Sequence, residues 1–415
     1  MATINILQQV ITYNESNLGL LLNSFCFIST ANKKYMRFND DVPKNLGDTV
    51  SFDLPPRFTT TDSLVVSFQS ANQRVQTLQV SQQASTAYEF TAQQFIFNVR
   101  DYIEKFGRAA ISQLGTKVES DVAGLCETAP YRFYGDGVTP IASYGQLANA
   151  LAFYRNFGSV KTQTKGYISD ITTPLIVNSG LNQFALDRNN KEAMSWELGR
   201  FSNADWYESN LLPVHTAGTE GNQASVLTVV STTLDSNGAV ITITFSGTHA
   251  ATDAASVLQY DSFQFSDGVA GYTNLRFLTF IGQIVSSSPV QFQATATAAS
   301  TGGSQVTVSI TPPLQATSGA TQNINTPIVA GMQVTVLPTH RCGLITAGDP
   351  LFLAMPKLPE EVPFPTSVAQ DPDSGASIRM YYGSLFGQNQ RGIVHDCIWG
   401  KTLPAEYSMK IALPV

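Results

Sequence analysis

The sequence predicts an α+β fold interrupted by a separate all-β insertion, and three observations carry that prediction. One apolar helical face is sustained for about thirty residues from Phe95. Segments with the alternation of β-strands lie on both sides of it. Between Asn222 and Pro338 the composition breaks: there is no Lys and no Glu, only Arg276 and the four aspartates Asp235, Asp253, Asp261 and Asp267.

With 415 residues the chain can bury a sizeable core in two or three domains. Hydrophobic residues make up 43% and charged residues 13%, about half the usual share of charge. Such a surface is hidden by neighbours or covered with Ser, Thr, Asn and Gln. A formal net charge of −7 speaks against a protein that grips nucleic acid directly. The four cysteines, Cys26, Cys126, Cys342 and Cys397, show no zinc-ligand spacing and no disulfide framework. They read as small buried hydrophobes. The apolar stretch Leu18 to Ile28 is too short to span a bilayer, and no Lys or Arg precedes it. Neither a membrane partner nor a secretory signal is expected.

The elements follow in order. Residues 1–47 read as an arm with a short apolar helix. Residues 48–85 read as a long β-loop: a strand stopped at Pro55-Pro56, then extended segments at Leu64–Phe68 and Arg74–Val80. So thin a hairpin needs a partner surface, which makes Arg57, Leu64, Val66, Phe68 and Arg74 the suspected contacts with a neighbouring subunit. Thr91-Ala-Gln-Gln94 has the form of a capping box. It opens a helix, within 86–128, whose core face is Phe95, Val99, Ile103, Phe106, Ala110, Leu114, Val118, Val122 and Leu125. Gly107 and Gly115 cost up to about 1 kcal/mol each relative to Ala, so they serve close packing or a bend.

Residues 129–221 alternate short helices and strands. Ser143 opens a helix carrying Leu147, Leu151 and Tyr154, which Gly158 closes; a second helix is expected over Asn189 to Leu198. Within 222–338, strand-like runs recur at 225–231, 239–245, 262–265, 290–297, 305–310 and 332–337. Asn237-Gly238 and Gly302-Gly303 supply turns, and Phe245, Phe263, Phe265, Phe277, Phe280 and Phe292 supply a core. A sandwich or a small barrel is expected. Residues 339–376 resume the earlier composition, with an extended proline-rich loop from Pro350 to Pro372. Residues 377–415 read as a closing antiparallel meander.

No active site emerges. His215, His249, His340 and His395 sit in no metal pattern, and His395-Asp396 on a strand point to opposite faces. Asp371-Pro-Asp-Ser-Gly375 lacks the closing Glu of a calcium loop and reads as a turn. Tyr88, Phe90, Phe95 and Phe97 have no interleaved Lys or Arg to hold a nucleic acid, so they read as packing where the helix starts. No catalytic residue, metal or cofactor is expected.

Four stretches carry a resemblance. They are Phe90-Thr-Ala-Gln-Gln-Phe95 with Glu104 to Glu119; Leu198 to Gly218; Asp261 to Val269 with Gln291 to Thr295; and His340 to Leu344 with Ser377 to Arg379 and Asp396 to Lys401. With the order of elements, they resemble the Hong Kong phage-type major capsid fold of tailed bacteriophages, in the branch of the short-tailed Salmonella phage P-twenty-two. The resemblance covers the chain nearly end to end. It implies that 86–128 is a spine helix, forming a peripheral domain with 377–415. It also implies that 129–221 and 339–376 form an axial domain, and that 222–338 is an exterior domain bracing the shell. The implied function is self-assembly into an icosahedral virion shell in the host cytoplasm, from hexamers and pentamers. The shell would enclose double-stranded DNA without binding it specifically. The implied partners are a portal and, since the arm is short, a separate scaffolding protein. No crosslinking Lys–Asn pair is assigned. An encapsulin-type compartment shell keeps the same fold; a β-rich virion decoration or adhesin leaves the long helix without a purpose.

Overall fold

The computed structural model describes residues 14–19, 21–22, 25–33, 49–55, 58, 68, 74–158, 163–178, 197–266, 275–279, 282–360, 364, 366–371, 376–384 and 390–415. The described elements are mostly strands with few helices, an α+β arrangement. The chain divides into two compact units: 1–52 with 75–123 and 351–403, and 53–74 with 124–350 and 404–415.

In the first unit, a six-stranded sheet runs in the order Thr49–Leu54, Arg74–Thr91, Gln390–Thr402, Ser377–Ser384, Thr366–Gln370, with Phe352–Ala354 also paired to Gln390–Thr402. Arg74–Thr91 is one 18-residue strand, antiparallel to Gln390–Thr402 from Val80 to Thr91. Its inward residues include Leu78, Ala84, Thr86 and Tyr88, while Gln79, Ser81, Gln83 and Ser85 face out. The chain then passes directly into the 32-residue helix Ala92–Ala123, about 48 Å long at 1.5 Å per residue. Ala110, Ile111, Leu114, Val118 and Val122 are buried along it. A Cβ on Gly115 would come within 2.1 Å of the Phe25 ring, so the glycine is there for close approach. Asp121 ties the helix to the sheet: it accepts from Trp399 Nε1 at 2.9 Å and pairs with Lys401 Nζ at 3.0 Å.

Glu119 does the work of a missing cap. The short helix Cys26–Thr30 has no side-chain cap at Phe25. Instead Glu119 accepts the Phe27 and Ile28 N–H groups at 2.7 and 2.9 Å, filling donors that a helix start leaves open.

Three expectations change here. Phe106, expected in the core, is 47% exposed. The buried stripe passes through Gly107, Ala110, Ile111, Leu114, Gly115, Val118 and Val122, and Phe106 lies about 100° around the helix from Gly107. Leu125 is only half-buried, because the helix stops at Ala123 and Leu125 begins a separate turn, Leu125–Thr128. The expected loop 350–372 contributes two strands, Phe352–Ala354 and Thr366–Gln370, to the sheet. The side chains of Phe95, Val99 and Ile103 lie outside the described residues.

The second unit contains two larger sheets and a small hairpin. The seven-stranded sheet runs Phe133–Tyr134, Ser408–Leu413, His340–Thr346, Lys165–Ile168, Ala204–Glu208, Glu197–Phe201, with Val214–His215 also on His340–Thr346. Helix Tyr144–Asn156 packs Leu147, Leu151 and Tyr154 with Trp206, Ile345 and Ile411. Its capping box is present: Ser143 Oγ accepts the Gln146 N–H at 3.3 Å, and Gln146 Oε1 accepts the Ala142 N–H at 2.6 Å. The last strand is a correction. Ser408–Leu413 does not extend a closing meander but pairs with His340–Thr346 in this sheet. Every residue of it is buried, and a strand buried on both faces needs an interior position rather than an edge. The helix expected over 189–198 is also corrected at its end, where Glu197 and Leu198 open a strand. Its remainder lies outside the described residues.

The insertion is a barrel. Six antiparallel strands close a ring in the order Gln305–Leu314, Gln291–Ala294, Ser262–Phe265, Gln333–Val336, Val226–Leu234, Val240–Ser246 and back to Gln305–Leu314. Asp253–Val257 and Ala298–Thr301 extend it beside Gln305–Leu314. Inside, Phe263 and Phe292 stack at 5.0 Å, and Phe245 lies 5.9 Å from Phe263. Closure removes strand edges, which matters in a domain with almost no charge to keep edges apart. The barrel's core does not end at its own sequence. Phe277 packs edge-on against Tyr131 and Phe157, at 6.0 and 5.5 Å.

Candidate functional site

Among the described residues no group of three or more His, Cys, Asp or Glu side chains is placed to hold a metal ion, and no helix is long and apolar enough to cross a membrane. All four cysteines are buried, and none forms a disulfide. Burial pushes the Cys342 thiol up to about 11 and the Cys397 thiol up to about 12, far from the reactive thiolate range. His395 is buried, with neither ring nitrogen bonded. Its neighbour Asp396 is bound by Arg379 at 3.0 and 2.5 Å.

The densest polar arrangement lies where the barrel joins the seven-stranded sheet. The two connections come side by side: His215 and His340 are cross-strand partners, Ala217 N donates to Thr339 Oγ1 at 3.1 Å, and Thr339 Oγ1 bonds Asn222 Oδ1 at 2.9 Å. A Cβ on Gly221 would meet the Leu337 carbonyl at 2.6 Å. His215 reaches two carboxylates at once, Nδ1 to Glu127 Oε1 and Nε2 to Asp261 Oδ1, both at 2.8 Å. Asp261, fully buried, also accepts the N–H groups of Leu258 at 2.7 Å and Gly218 at 3.2 Å. Buried Lys410 donates from Nζ to Ser262 Oγ at 3.2 Å. Burial and the Lys410 charge hold His340 down to about 3, so it is neutral. Gln291 bonds both the N–H and the carbonyl of Phe133 at 2.9 Å, and Gln293 Nε2 donates to the Glu127 carbonyl at 2.9 Å. Such a network fixes position.

The outward surfaces are of a different kind. Phe68 is 96% exposed and Phe58 56%. Of the other suspected contact residues, Arg57, Leu64 and Val66 lie outside the described residues. Arg74 is engaged within the chain, its guanidinium 2.5 Å from Glu406. The outer face of Arg74–Thr91 presents Val75, Thr77, Gln79, Ser81, Gln83, Ser85, Ala87 and Glu89, with Glu89 the one charged residue of that series. The barrel exposes Val226, Val230, Leu234 and Ile241.

The junction escaped sequence reasoning, although two signals pointed to it. His215 and His340 flank the insertion at its two ends, and Asp261 is one of only four acids inside it. Arg132 was also missed: it is buried with its guanidinium 4.0 Å from the centre of the Phe157 ring.

No family model matches this chain, and no curated protein does. Solved structures similar to it include one described as Mycobacterium phage Che8, at 9% identity and TM-score 0.46, covering 93% of this chain and 90% of that one. The capsid of Ralstonia phage GP4 is similar at 10% identity and TM-score 0.41, over 89% and 85%. The Cyanophage Pam1 capsid asymmetric unit is similar at 9% identity and TM-score 0.40, over 90% and 87%.

Proposed function

We propose that this chain is the major capsid protein of a tailed bacteriophage, a structural subunit that self-assembles into an icosahedral shell and catalyses nothing. The observation that carries the reading is the long strand Arg74–Thr91 running straight into the long helix Ala92–Ala123. The sheet beside that helix is completed by strands from residues 352–402, while a closed barrel interrupts the other unit. That is the order of the Hong Kong phage-type capsid fold. In this reading 86–128 is the spine helix and the first unit the peripheral domain. The seven-stranded sheet belongs to the axial domain, and 222–338 is an inserted domain bracing the shell from outside.

Physical chemistry supports the role independently. Phe58 and Phe68, on the segment between the first two strands, are solvent-exposed in the single chain. The facing strand surface carries a single charge, Glu89, near its end, so it offers little to oppose a like copy. Burial of such surfaces stabilises contacts by about 25 cal/mol per Å², and a shell repeats each contact many times. The proposed partners are further copies in hexamers and pentamers, a scaffolding protein, a portal and packaged double-stranded DNA, with assembly in the host cytoplasm. The branch resembling phage P-twenty-two is the finer part of the proposal, suggested by the barrel's position in the chain.

The test is sedimentation velocity and negative-stain microscopy of the purified protein, alone and with a co-expressed scaffolding protein. Capsomers, tubes or shells are expected. A monodisperse monomer at high concentration, unaltered by scaffold or crowding, would overturn the proposal.

A further inference from the structure

The geometry around His215 is met by an imidazolium facing two ionised carboxylates. Glu127 Oε1 and Asp261 Oδ1 each lie 2.8 Å from a different ring nitrogen, and ionised carboxylates only accept hydrogen bonds. A neutral imidazole has one N–H, so one nitrogen lone pair would face a carboxylate lone pair at hydrogen-bond distance. Only the imidazolium donates to both.

Charge balance points the same way. The groups facing His215 are Glu127 from the turn Leu125–Thr128, Asp261 from the barrel, His340 and Cys342 from the partner strand, and Lys410 from the last strand. His340, its ring 5.4 Å away, is neutral, and burial keeps Cys342 a thiol. Two carboxylates then stand against Lys410 alone unless His215 carries the second positive charge. The next carboxylate, Glu220, is taken up by the His249 N–H at 3.0 Å and Ser256 Oγ at 2.9 Å. Burial by itself would lower the pKa of His215; its bonds to Asp261 and Glu127 offset that and raise it above the ordinary value.

We propose that His215 is an imidazolium latch: protonated, it fastens the barrel to the strand Val214–His215 and the turn Leu125–Thr128, and on losing its proton as pH rises it lets that attachment loosen. Three elements distant in sequence meet on one ring. Deprotonation removes a donor from a buried carboxylate, where an unpaired charge is most costly. The sign follows from linkage: a base whose folded pKa is raised adds stability below its unfolded pKa and loses it as pH climbs through the folded one. The latch is closed below the unfolded pKa of His215, while its two carboxylates stay ionised, and opens as pH rises through the folded one.

Hydrogen–deuterium exchange of the full-length protein from pH 6 to 10, corrected for the intrinsic pH dependence of exchange, tests this. In the wild type, peptides over 214–222 and 258–266 should lose protection by at least about tenfold as pH rises through one titration. A barrel peptide over 305–314 should not. His215→Gln should hold the junction at the alkaline level at every pH, which separates the latch from titration of Lys410 or Cys342. Glu127→Gln, a change at a partly exposed residue, should move the midpoint down by about one pH unit. Flat junction protection in the wild type would overturn the proposal. So would a pH-dependent loss that persists in His215→Gln, or an unmoved midpoint in Glu127→Gln. If His215→Gln fails to fold, the wild-type and Glu127→Gln series decide the matter.

Discussion

Buried ionisable side chains in this protein carry opposite pH dependences, and each sign can be read from its surroundings. Burial pushes His395 down to about 4 and His340 to about 3. Unfolded, they take up protons near pH 6.5. The unfolded state therefore binds more protons below that pH, and stability falls as pH drops from 6.5 toward 4, by roughly 3 kcal/mol for each histidine. Replacing His395 with Phe keeps a ring against Tyr88, which now lies 5.9 Å away, and removes one such group. Urea midpoints compared at pH 7 and pH 4.5 should show a smaller acid loss in His395→Phe than in the wild type. Glu119 runs the other way. Burial, opposed by the N–H groups of Phe27 and Ile28, raises it to about 6. The folded state then binds the proton more tightly, so this residue favours folding as pH falls from 6 to 4.5. Glu119→Ala leaves two helix-start donors open in a buried site and should cost about 1–3 kcal/mol at neutral pH. An unchanged urea midpoint would show that those donors find water instead.

At the scale of elements, the long helix decides its own packing through one missing side chain. Gly115→Ala should raise helix propensity by about 1 kcal/mol. Because the added Cβ would fall 2.1 Å from the Phe25 ring, the prediction is a net loss of thermal stability. Shaving the ring in Phe25→Ala should reverse the sign of the Gly115→Ala effect, so a double-mutant cycle with large coupling is expected. The helix also shows how an apolar repeat can mislead at a single position. Ala110, Leu114, Val118 and Val122 of the predicted stripe are buried, while Phe106, which joined it because it lies four residues before Ala110, is exposed and Ile111 is fully buried. Ile111→Asp should cost several kcal/mol in thermal denaturation. Phe106→Asp, a surface change in the single chain, should cost no more than about 0.5 kcal/mol.

At the scale of the whole molecule, the barrel closes its own sheet but shares its core and its polar base. Within the described residues no barrel strand joins the seven-stranded sheet. Residues 222–338 alone should therefore give a dispersed amide NMR spectrum, and collapsed resonances would refute autonomy. The excised domain should nevertheless be less stable than the barrel in the full chain. Phe277 would lose Tyr131 and Phe157, Asp261 would lose His215, and Gln291 and Gln293 would lose Phe133 and Glu127. Chemical denaturation of the fragment and of the full chain, followed by barrel peptides in hydrogen exchange, measures the difference.

Local chemistry was enough to announce many elements. Capping residues, glycine turns and apolar alternation revealed the six strands that close the barrel, the helix after Ser143, the long helix and the burial of all four cysteines, because each depends on neighbours within a few positions; they did not reveal Asp253–Val257, Arg276–Leu278, Val285–Pro289 or Ala298–Thr301. The stretch of altered composition between Asn222 and Pro338 brackets the barrel strands, from Val226–Leu234 to Gln333–Val336. What local pattern could not specify was anything settled by a residue's partners at long range. A continuous buried run such as Ser408–Leu413 is compatible with any interior strand position, and only its pairing with His340–Thr346 placed it. Closure of the barrel depended on Val240–Ser246 meeting Gln305–Leu314 some sixty residues later. The roles of Glu119 and His215 were equally invisible, since an isolated acid or histidine has no meaning until burial removes water and supplies the groups it must bond.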